Sequence, residues 1–368
     1  MRATIDAIET AAVSLRPRAD LVVRGAKGAH DRSDFLLVRV RTSDGVDGYG
    51  EVSATPLWSG EDGVSARHFI ATELVPVLVG RPLAPVGGHD AVMDKVLAGN
   101  PFTKAGVSIA LWDAHARTLG VPLAVALGGP YRTEVPIKLS LSGNGEALER
   151  VHAGGVAHGF RAFKVKVGTG VELDVARLAQ ARQLAGEDAF LGVDANGGWS
   201  RAEAARAIRE LAPHRPAFVE QPLAPDDLVG MHGLRGNGFP IVADESVFGT
   251  ADLVRVIRAD AADVVSVYVG KSGGPGRAVA MGGIAAAFGL DTLIGSNGEF
   301  GIGAAAQLHV ACALPDLATW VPSDIIGAFY YAEDVLAEPL DSDGRVVRLG
   351  DAPGLGVTLR DDLLKEFR

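Results

Sequence analysis

Charged residues recur at the ends of strand-like segments in the middle of the chain, at nearly equal intervals. Lys166 lies in AFKVKVG, Asp194 in FLGVDAN, Glu220 in AFVEQPL and Asp244 in IVADES, at successive spacings of 28, 26 and 24 residues. One strand, one helix and short loops occupy about this length, so the spacing predicts consecutive βα units with parallel strands. Neighbouring parallel strands lie about 4.8 Å apart, and carboxylates at equivalent strand ends should therefore converge. Three hard oxygen ligands favour Mg2+, with Mn2+ as an alternative.

A pair of lysines ends the strand that precedes these carboxylates. Lys164 and Lys166 share one face of RAFKVKVG because strand side chains alternate, and that face would be the interior of a barrel. Two buried lysines on one face require anions nearby or a lowered pKa. Because two neighbouring ammonium groups disfavour protonation, we expect one lysine to act as a general base. The residues alone leave open a solvated lysine pair on an edge strand, and carboxylates that only cap helices.

The composition is that of a globular protein with an ample core. Of the 368 residues, 48% are hydrophobic and 22% are charged, and the formal net charge is −10. The negative charge argues against a nucleic-acid binder but allows an acidic substrate, since a bound divalent cation reverses the local field. The N-terminus lacks a basic-then-apolar signal pattern and no run approaches ~18 apolar residues, which predicts a cytoplasmic protein without a membrane span.

The chain divides into two predicted parts near Gly128-Gly129-Pro130. Residues 1–50 alternate in short runs that predict a β-meander turning at Ser43-Asp44-Gly45, and residues 65–128 show helical spacing of apolar positions. The strand signals that follow are VPIKLSLS, RAFKVKVG, FLGVDAN, AFVEQPL, IVADES, DVVSVYVG, LDTLIGS and TWVPSDII. Eight strands suffice to close a barrel. We therefore predict an α/β fold with an α+β domain at residues 1–130, a barrel domain at 131–330, and a tail at 331–368 that packs back on the first domain.

The set KVKVG, VDAN, VEQP and ADES resembles the enolase superfamily, in particular its muconate-lactonizing subgroup. The resemblance extends from KAGVSIALWDAHARTLGVPLAVALGG in the first part to DGRVVRLGDAPGLGV near the end. It implies a modified TIM barrel, (β/α)7β, under an N-terminal α+β capping domain that the C-terminal tail completes. It also implies Mg2+ held by Asp194, Glu220 and Asp244.

The chemistry that the resemblance implies is removal of a proton α to a carboxylate, which gives a metal-stabilised enediolate. Lys166 would be the base, and Lys164 would tune it and offset the charge of the enediolate. The reasoning from the residues agrees, because such an α-proton is too weakly acidic for a lysine without a cation to stabilise the developing charge.

The sixth predicted strand departs from the family pattern. Relatives commonly carry a catalytic lysine in a pattern like Asn-Ile-Lys-x-x-Lys-x-Gly-Gly, whereas residues 266–274 of this chain are SVYVGKSGG. Aligned on the glycines, Tyr268 stands at the usual catalytic lysine and Lys271 matches the later one. Strand parity gives Tyr268 the interior face, so we expect Tyr268 to face the site and Lys271 to lie in the following loop. A tyrosine there favours a one-base reaction over two-base racemisation, although it can still act as an acid.

Further residues are candidates for substrate contacts. Asp324 on the eighth strand and Lys138 on the first strand are predicted to line the pocket, and Trp58 lies in a segment that resembles the family's second mobile loop. The seventh strand end lacks the histidine that the mandelate-racemase branch uses as a base, and Glu299 is the contact predicted there. His309 falls in an apolar helical segment, where we expect it to be packed rather than catalytic.

Basic residues also occur in the segment that resembles the family's mobile N-terminal loop. They are Arg16, Arg18, Arg24 and Lys27. Any of them that faces the site would pair with a distal carboxylate of the substrate, and the alternative is a solvated basic stretch.

The sequence thus predicts a magnesium-dependent enzyme that acts on a small carboxylate, most like a muconate cycloisomerase. The alternatives are an amino-acid or dipeptide racemase or epimerase, a dehydratase of a hydroxylated acid, and a catalytically silent binding protein on the same scaffold. No nucleic acid or membrane is expected as a partner. The resemblance also points to a homo-oligomer, because family members are often octamers or dimers.

Overall fold

The computed structural model describes residues 3–19 and 21–368, in two sheet-containing parts. The strands are β1 (Ile5–Leu15), β2 (Val23–Gly25), β3 (Gly28–His30), β4 (Ser33–Thr42), β5 (Asp47–Val52), β6 (Glu134–Pro136), β7 (Leu139–Leu141), β8 (Ala162–Lys166), β9 (Phe190–Asp194), β10 (Val219–Glu220), β11 (Ile241–Ala243), β12 (Val264–Val267), β13 (Asp291–Ile294) and β14 (Val346–Arg348).

Helices fill the connections between the strands. They are α1 (Pro56–Ser59), α2 (Gly63–Phe69), α3 (Val75–Leu78), α4 (Gly87–Val96), α5 (Pro101–Leu119), α6 (Leu123–Ala126), α7 (Glu146–Ala157), α8 (Val171–Ala185), α9 (Arg201–Leu211), α10 (Leu228–Leu234), α11 (Thr250–Arg258), α12 (Val269–Ser272), α13 (Pro275–Ala287), α14 (Gly301–Ala313) and α15 (Asp361–Leu364). No helix within the described ranges combines the length and apolar character needed to cross a membrane.

Seven strands form one parallel sheet in the order β7-β8-β9-β10-β11-β12-β13. The segment after α14 closes the ring, since Leu317 bridges Thr292 of β13 and Ser323 bridges Ile137 just ahead of β7. This is the predicted (β/α)7β barrel, but the eighth strand predicted at TWVPSDII is wrong in detail, because the segment makes isolated bridges. Pro322 lies within it and has no amide hydrogen, which removes one ladder hydrogen bond.

The N-terminal part is an antiparallel sheet covered by helices. Its strands pair in the order β1-β4-β5, and β4 turns into β5 where the meander was predicted to turn. Two glycines of β5 let α5 approach the sheet closely. A β-carbon at Gly48 would lie 2.2 Å from the carbonyl oxygen of Ala110, and one at Gly50 would lie 2.0 Å from that of Gly106. The glycines therefore set the spacing between sheet and helix.

The C-terminal segment contacts both parts. Thr10 and Arg368 exchange backbone hydrogen bonds of 3.0 and 3.2 Å, and the Leu123 amide donates to the carbonyl of Gly354 at 2.8 Å. β14 pairs with β6, the short strand that precedes the first barrel strand β7 in the chain. The tail thus ties the start of the chain to the barrel. The domain boundaries at residues 130 and 330 stay predictions.

An apolar layer fills the barrel beneath its charged end. Its buried members are Phe218, Val242, Val264, Leu293, Ala318 and Val321. Because strand side chains alternate, Glu220 follows Phe218 on the interior face and Asp244 follows Val242. The layer closes the barrel from below, so the charged residues open toward the carboxyl ends of the strands, where barrel enzymes carry their sites.

His309 on α14 is packed, as predicted, and accepts a hydrogen bond at Nδ1 from the Ala124 amide of α6 at 3.0 Å. Burial lowers the pKa of its imidazole from 6.5 to about 4. In the unfolded chain His309 therefore binds a proton near pH 6.5, whereas in the folded protein it stays neutral down to about pH 4. The free energy of unfolding consequently falls as the pH falls from about 6.5 to about 4. The full loss is on the order of 3 kcal/mol.

We predict that His309→Asn, whose amide oxygen can accept the same hydrogen bond, flattens this part of the pH dependence. The free energy of unfolding, measured by urea denaturation between pH 4 and pH 7.5, should fall less steeply than in the wild type. His68→Asn is the matched control, because His68 is exposed on α2 and its loss should leave the slope unchanged. Equal slopes for wild type and His309→Asn would show that the buried histidine does not set the acid sensitivity.

Candidate functional site

Parallel register brings the predicted lysine and carboxylates onto one surface. Lys166 of β8 is the register partner of Asp194 in β9, and Asp194 is the partner of Glu220 in β10. Glu220 pairs with Val242 of β11, so Asp244 lies two residues further along the same face. The three carboxylates are almost completely buried. The structure therefore brings these four predicted residues together.

Lys166 reaches the open end of this surface. Its ammonium lies 2.6 Å from Asp194 Oδ2 and 3.1 Å from Asn196 Oδ1, and 13% of its side chain is exposed. Burial lowers the pKa of Lys166, but attraction to Asp194 and Glu220 and the hydrogen bond to Asp194 together outweigh burial. The pKa is therefore raised above its usual value of 10.5.

Lys164 is enclosed by carboxylates. Its ammonium lies 2.9 Å from Glu220 Oε1, 3.0 Å from Asp324 Oδ2 and 3.6 Å from Asp194 Oδ2. Burial acts to lower its pKa, yet these anions raise it well above 10.5. Of the two conditions expected for buried lysines, the structure shows the nearby anions and not a lowered pKa, because the carboxylates outweigh the repulsion between the ammonium groups. A divalent cation would compete for the same oxygens and so lower both pKa values.

The three carboxylates have the chemistry of a magnesium site, although each is turned toward a lysine. Glu220 Oε2 is buried without a hydrogen-bond partner. Burial and the charges of Asp194 and Asp244 raise the pKa of Glu220 to about 8, against the attraction of Lys164. A divalent cation would relieve both the unpartnered oxygen and the cost of ionising this carboxyl group.

The side chains are not preassembled around an ion. Among residues 3–19 and 21–368, no group of three or more aspartate, glutamate, histidine or cysteine side chains is arranged to hold a metal. For cation binding, Glu220 offers the unpartnered Oε2, whereas Asp194 and Asp244 would exchange their contacts with Lys166 and Lys271 for the metal. The donor set itself, three buried oxygen ligands on neighbouring strands, fits Mg2+.

Tyr268 and Lys271 both contact Asp244. The Tyr268 hydroxyl donates to Asp244 Oδ2 at 2.8 Å, and Lys271 Nζ lies 2.5 Å from Oδ1. Lys271 belongs to the short helix α12 and not to the predicted loop. It is fully buried, with its ammonium 4.1 Å from the centre of the Tyr268 ring. Burial and the charges of Asp244 and Glu220 raise the pKa of Tyr268 well above 10, so its hydroxyl is a hydrogen-bond donor and a poor base.

A glycine on the neighbouring strand edge makes room for Tyr268. A β-carbon at Gly295 would lie 2.0 Å from Cε1 of the tyrosine ring and 2.2 Å from Ser266 Oγ. Trp58 stacks on the same ring, with centroids 5.5 Å apart. The tyrosine is therefore fixed by packing as well as by its bond to Asp244, and any side chain at position 295 would displace it.

A cavity of about 430 Å3 lies above these residues. Its barrel side includes Ser140, Lys164, Lys166, Asn196, Tyr268 and Asp324. Its other side comes from the N-terminal part and includes Leu21, Val23, Lys27, Leu57 and Trp58. The wall toward the N-terminal part is thus mainly apolar with cationic side chains among it, and the wall toward the barrel is charged, which suits a small organic acid.

The remaining predicted contacts separate into two groups. Asp324 and Trp58 line the cavity, whereas Lys138 and Glu299 are not among its lining residues. Asp324 Oδ2 accepts hydrogen bonds from both Lys138 and Lys164, each at 3.0 Å. Glu299 is buried and accepts a hydrogen bond from the Asn297 amide at 3.1 Å. Asp324 is thus partnered by two ammonium groups while it faces the cavity.

Lys27 is the member of the predicted basic stretch that lines the cavity. Its ammonium lies 3.1 Å from Glu245 Oε1 and 4.6 Å from the centre of the Trp58 ring. Arg18 instead donates to the carbonyl of Tyr331, and Arg16 and Arg24 are exposed. The unpredicted Arg32 also lines the cavity. The N-terminal segment therefore contributes two cations to the wall.

Sequence reasoning did not identify Asn196 as a site residue. Asn196 accepts from Lys166 and donates to Glu245 Oε1 at 3.1 Å, and it thereby links the lysine to the carboxylate that Lys27 binds. Its backbone φ of 45° is left-handed, which asparagine tolerates better than most residues. The asparagine of VDAN, directly after a strand, was the available signal.

Two buried residues of α8 support the loop after Lys166 and were also missed. Arg177 donates to the Lys166 carbonyl at 2.5 Å and to that of Gly143 at 3.0 Å. Asp174 accepts from the Gly168 amide and the Trp199 indole, both at 2.9 Å. A charged residue in an amphipathic helix ordinarily faces solvent, so the sequence carried no signal for this role.

Two family models match the chain. The model described as "Mandelate racemase / muconate lactonizing enzyme, N-terminal domain" matches residues 7–128, and "Enolase C-terminal domain-like" matches residues 146–363.

Individual relatives match nearly the whole chain. The N-succinyl-L-Arg/Lys racemase of Bacillus cereus is 31% identical over 99% of this chain and 97% of that protein. Muconate cycloisomerase 1 of Rhodococcus opacus is 35% identical over 90% of each. The crystal structure of muconate lactonizing enzyme from Pseudomonas fluorescens complexed with muconolactone superimposes with a TM-score of 0.93 at 29% identity and covers 100% of both chains. With its capped (β/α)7β barrel, the chain is an enzyme that belongs to the enolase superfamily, in the muconate-lactonizing subgroup.

Proposed function

We propose that this enzyme removes or returns a proton at the carbon α to a carboxylate, with Lys166 as the base. The observation that carries the proposal is the position of Lys166, whose ammonium lines the cavity in register with three buried carboxylates. A lysine at this point meets a small acid from one side, while the carboxylates lie beneath it. This combination supports proton abstraction better than binding alone.

Asp194, Glu220 and Asp244 would hold Mg2+ or Mn2+. When bound, the ion supplies a Lewis acid that stabilises the negative charge developing on the substrate carboxylate. Lys164, which lines the barrel side of the cavity among the same carboxylates, adds a fixed positive charge. Asn196 keeps Lys166 oriented toward the cavity through its 3.1 Å hydrogen bond.

We infer a one-base reaction, most like that of a muconate cycloisomerase. Tyr268 stands at the cavity where a second lysine would be needed, and its hydroxyl is engaged as a donor to Asp244 Oδ2 at 2.8 Å. Proton transfer from a single side suits cycloisomerisation or elimination. The alternatives are the racemase and epimerase activities of other relatives and the activity of the cis-3-hydroxy-L-proline dehydratase of Roseibium aggregatum, which is 31% identical. The cytoplasmic location and the homo-oligomer stay predictions from the sequence.

The proposal predicts solvent-deuterium incorporation α to a carboxylate. The enzyme would be incubated in D2O with Mg2+ and a panel of muconates, N-acyl amino acids, dipeptides and hydroxyprolines, and products followed by NMR. Lys166→Met should lower kcat about 100- to 10,000-fold, because general-base catalysis contributes that much. Chelation by EDTA should abolish turnover, and added Mg2+ should restore it.

Lys95→Met is the control for this experiment, since Lys95 is exposed on α4 and its loss should leave kcat unchanged. Circular dichroism should show that Lys166→Met stays folded. The proposed function would be contradicted if the folded wild-type enzyme with Mg2+ showed neither deuterium exchange nor turnover with any carboxylate of the panel.

Tyr268 and Lys271 should respond differently to substitution. Tyr268→Phe keeps the packed ring and removes its bond to Asp244, so we expect kcat to fall about 10- to 100-fold with little change in stability. Lys271→Met breaks a fully buried ion pair, and we expect it to lower the free energy of unfolding by about 3 kcal/mol or more. Urea denaturation and steady-state kinetics separate the two effects.

The stereochemistry of the deuterated product tests the one-base assignment. A single configuration, unchanged in Tyr268→Phe, is expected. Product of both configurations from the wild type, with inversion lost only in Tyr268→Phe, would instead make the tyrosine the second acid or base.

A further inference from the structure

Lys138 is a fully buried lysine below the cavity. It directly precedes β7, its relative exposure is 0%, and its ammonium lies 5.7 Å from the centre of the Phe218 ring in the apolar layer. Its hydrogen bonds go to the Pro322 carbonyl at 2.5 Å and to Asp324 Oδ2 at 3.0 Å. An unpaired ammonium at such a depth would be very costly, so these two contacts fix its position.

Asp324 passes this constraint on to Lys164. Its Oδ2 oxygen is shared between the ammonium groups of Lys138 and Lys164, and Lys164 in turn lies 2.9 Å from Glu220 Oε1. The contacts form an unbroken chain from the closing segment of the barrel to the carboxylates under the cavity. Each link is a buried, charge-assisted hydrogen bond, the strong kind.

Charge at this end of the barrel is balanced. The lysines are Lys138, Lys164, Lys166 and Lys271, and the carboxylates paired with them are Asp194, Glu220, Asp244 and Asp324. Lys138 completes this balance without touching the cavity. Without it, Lys164 would be the only ammonium on Asp324.

We propose that Lys138 is a positioning residue for the reaction. By holding Asp324 from below, it keeps Lys164 between Asp324 and Glu220. The proposal rests on the proposed function, because Lys164, which Lys138 positions through Asp324, acts as the substrate gains negative charge. An interaction that matters chiefly as charge develops lowers kcat more than it raises KM when it is lost.

The test compares Lys138→Met with Lys104→Met in the deuterium-exchange assay. Lys104 is the matched control, since it is also buried and ion-paired, 2.7 Å from Asp94, and does not line the cavity. We expect Lys138→Met to lower kcat about 10- to 100-fold, as loss of a supporting contact in a metal site does, with KM changed less than about threefold. Lys104→Met should lose stability but retain the wild-type kcat.

A second variant keeps the test decisive if Lys138→Met does not fold. Lys138→Gln keeps a neutral hydrogen-bond donor beside Asp324, so it leaves no buried carboxylate without a partner and should be more stable than Lys138→Met in urea denaturation. We expect its kcat to fall about 10-fold, because a neutral amide holds Asp324 less strongly than the ammonium does.

Two results would overturn the proposal. One is a wild-type kcat in folded Lys138→Met, and the other is a wild-type kcat in folded Lys138→Gln; either would mean that Lys138 acts only on folding. Failure of the proposed function gives a different pattern, in which the wild type and Lys104→Met also show no exchange.

Discussion

The parallel register of β8, β9 and β10 decides what the upper end of this barrel contains. Because strand side chains alternate, a slip of one residue in β9 would turn Asp194 away from the interior and bring an apolar neighbour in its place. Packing in the layer below opposes such a slip. A β-carbon at Gly192 would lie 2.1 Å from the Phe218 ring, so the ring fills the space that this glycine leaves on the neighbouring strand. The fit between Gly192 and Phe218 therefore holds Asp194 beside Glu220.

Burial makes the interactions between charged groups the strongest ones at this surface. A buried carboxyl group alone would be costly to ionise, and a buried lysine amine alone would be costly to protonate. Interleaving the two signs resolves both costs, and it explains why the pKa values of Lys164 and Lys166 are raised although the two lysines repel each other. The same balance means that a divalent cation would compete with Lys166 and Lys271 for oxygens of Asp194 and Asp244. Under the proposed function, cation binding and release of the base from Asp194 are one event.

Much of this organisation could be predicted from the sequence because it is local and periodic. The strand ends, their common face and the family follow from short motifs at βα spacing, and the tyrosine on the sixth strand stands out against the family pattern. The closure of the barrel, which depends on contacts between residues far apart in the chain, could not be predicted in the same way. The irregular closing segment depends on Pro322, and the partner of Lys138 lies 186 residues away in the chain. The direction of the lysine pKa shift could not be predicted, because it depends on four carboxylates whose distances the sequence does not contain.

The two sides of the cavity differ in a way that constrains the chemistry. Lys166 has a partly exposed ammonium and a neighbour, Asn196, that can orient it without neutralising it. Tyr268 is held by Asp244, by the stacked Trp58 ring and by the absence of a side chain at Gly295. A phenol fixed in this way, among anions that oppose its ionisation, can donate a hydrogen bond but cannot easily accept a substrate proton. If Lys166 is the base, proton transfer is confined to its side of the substrate, and the stereochemical outcome follows from packing and charge on the opposite wall.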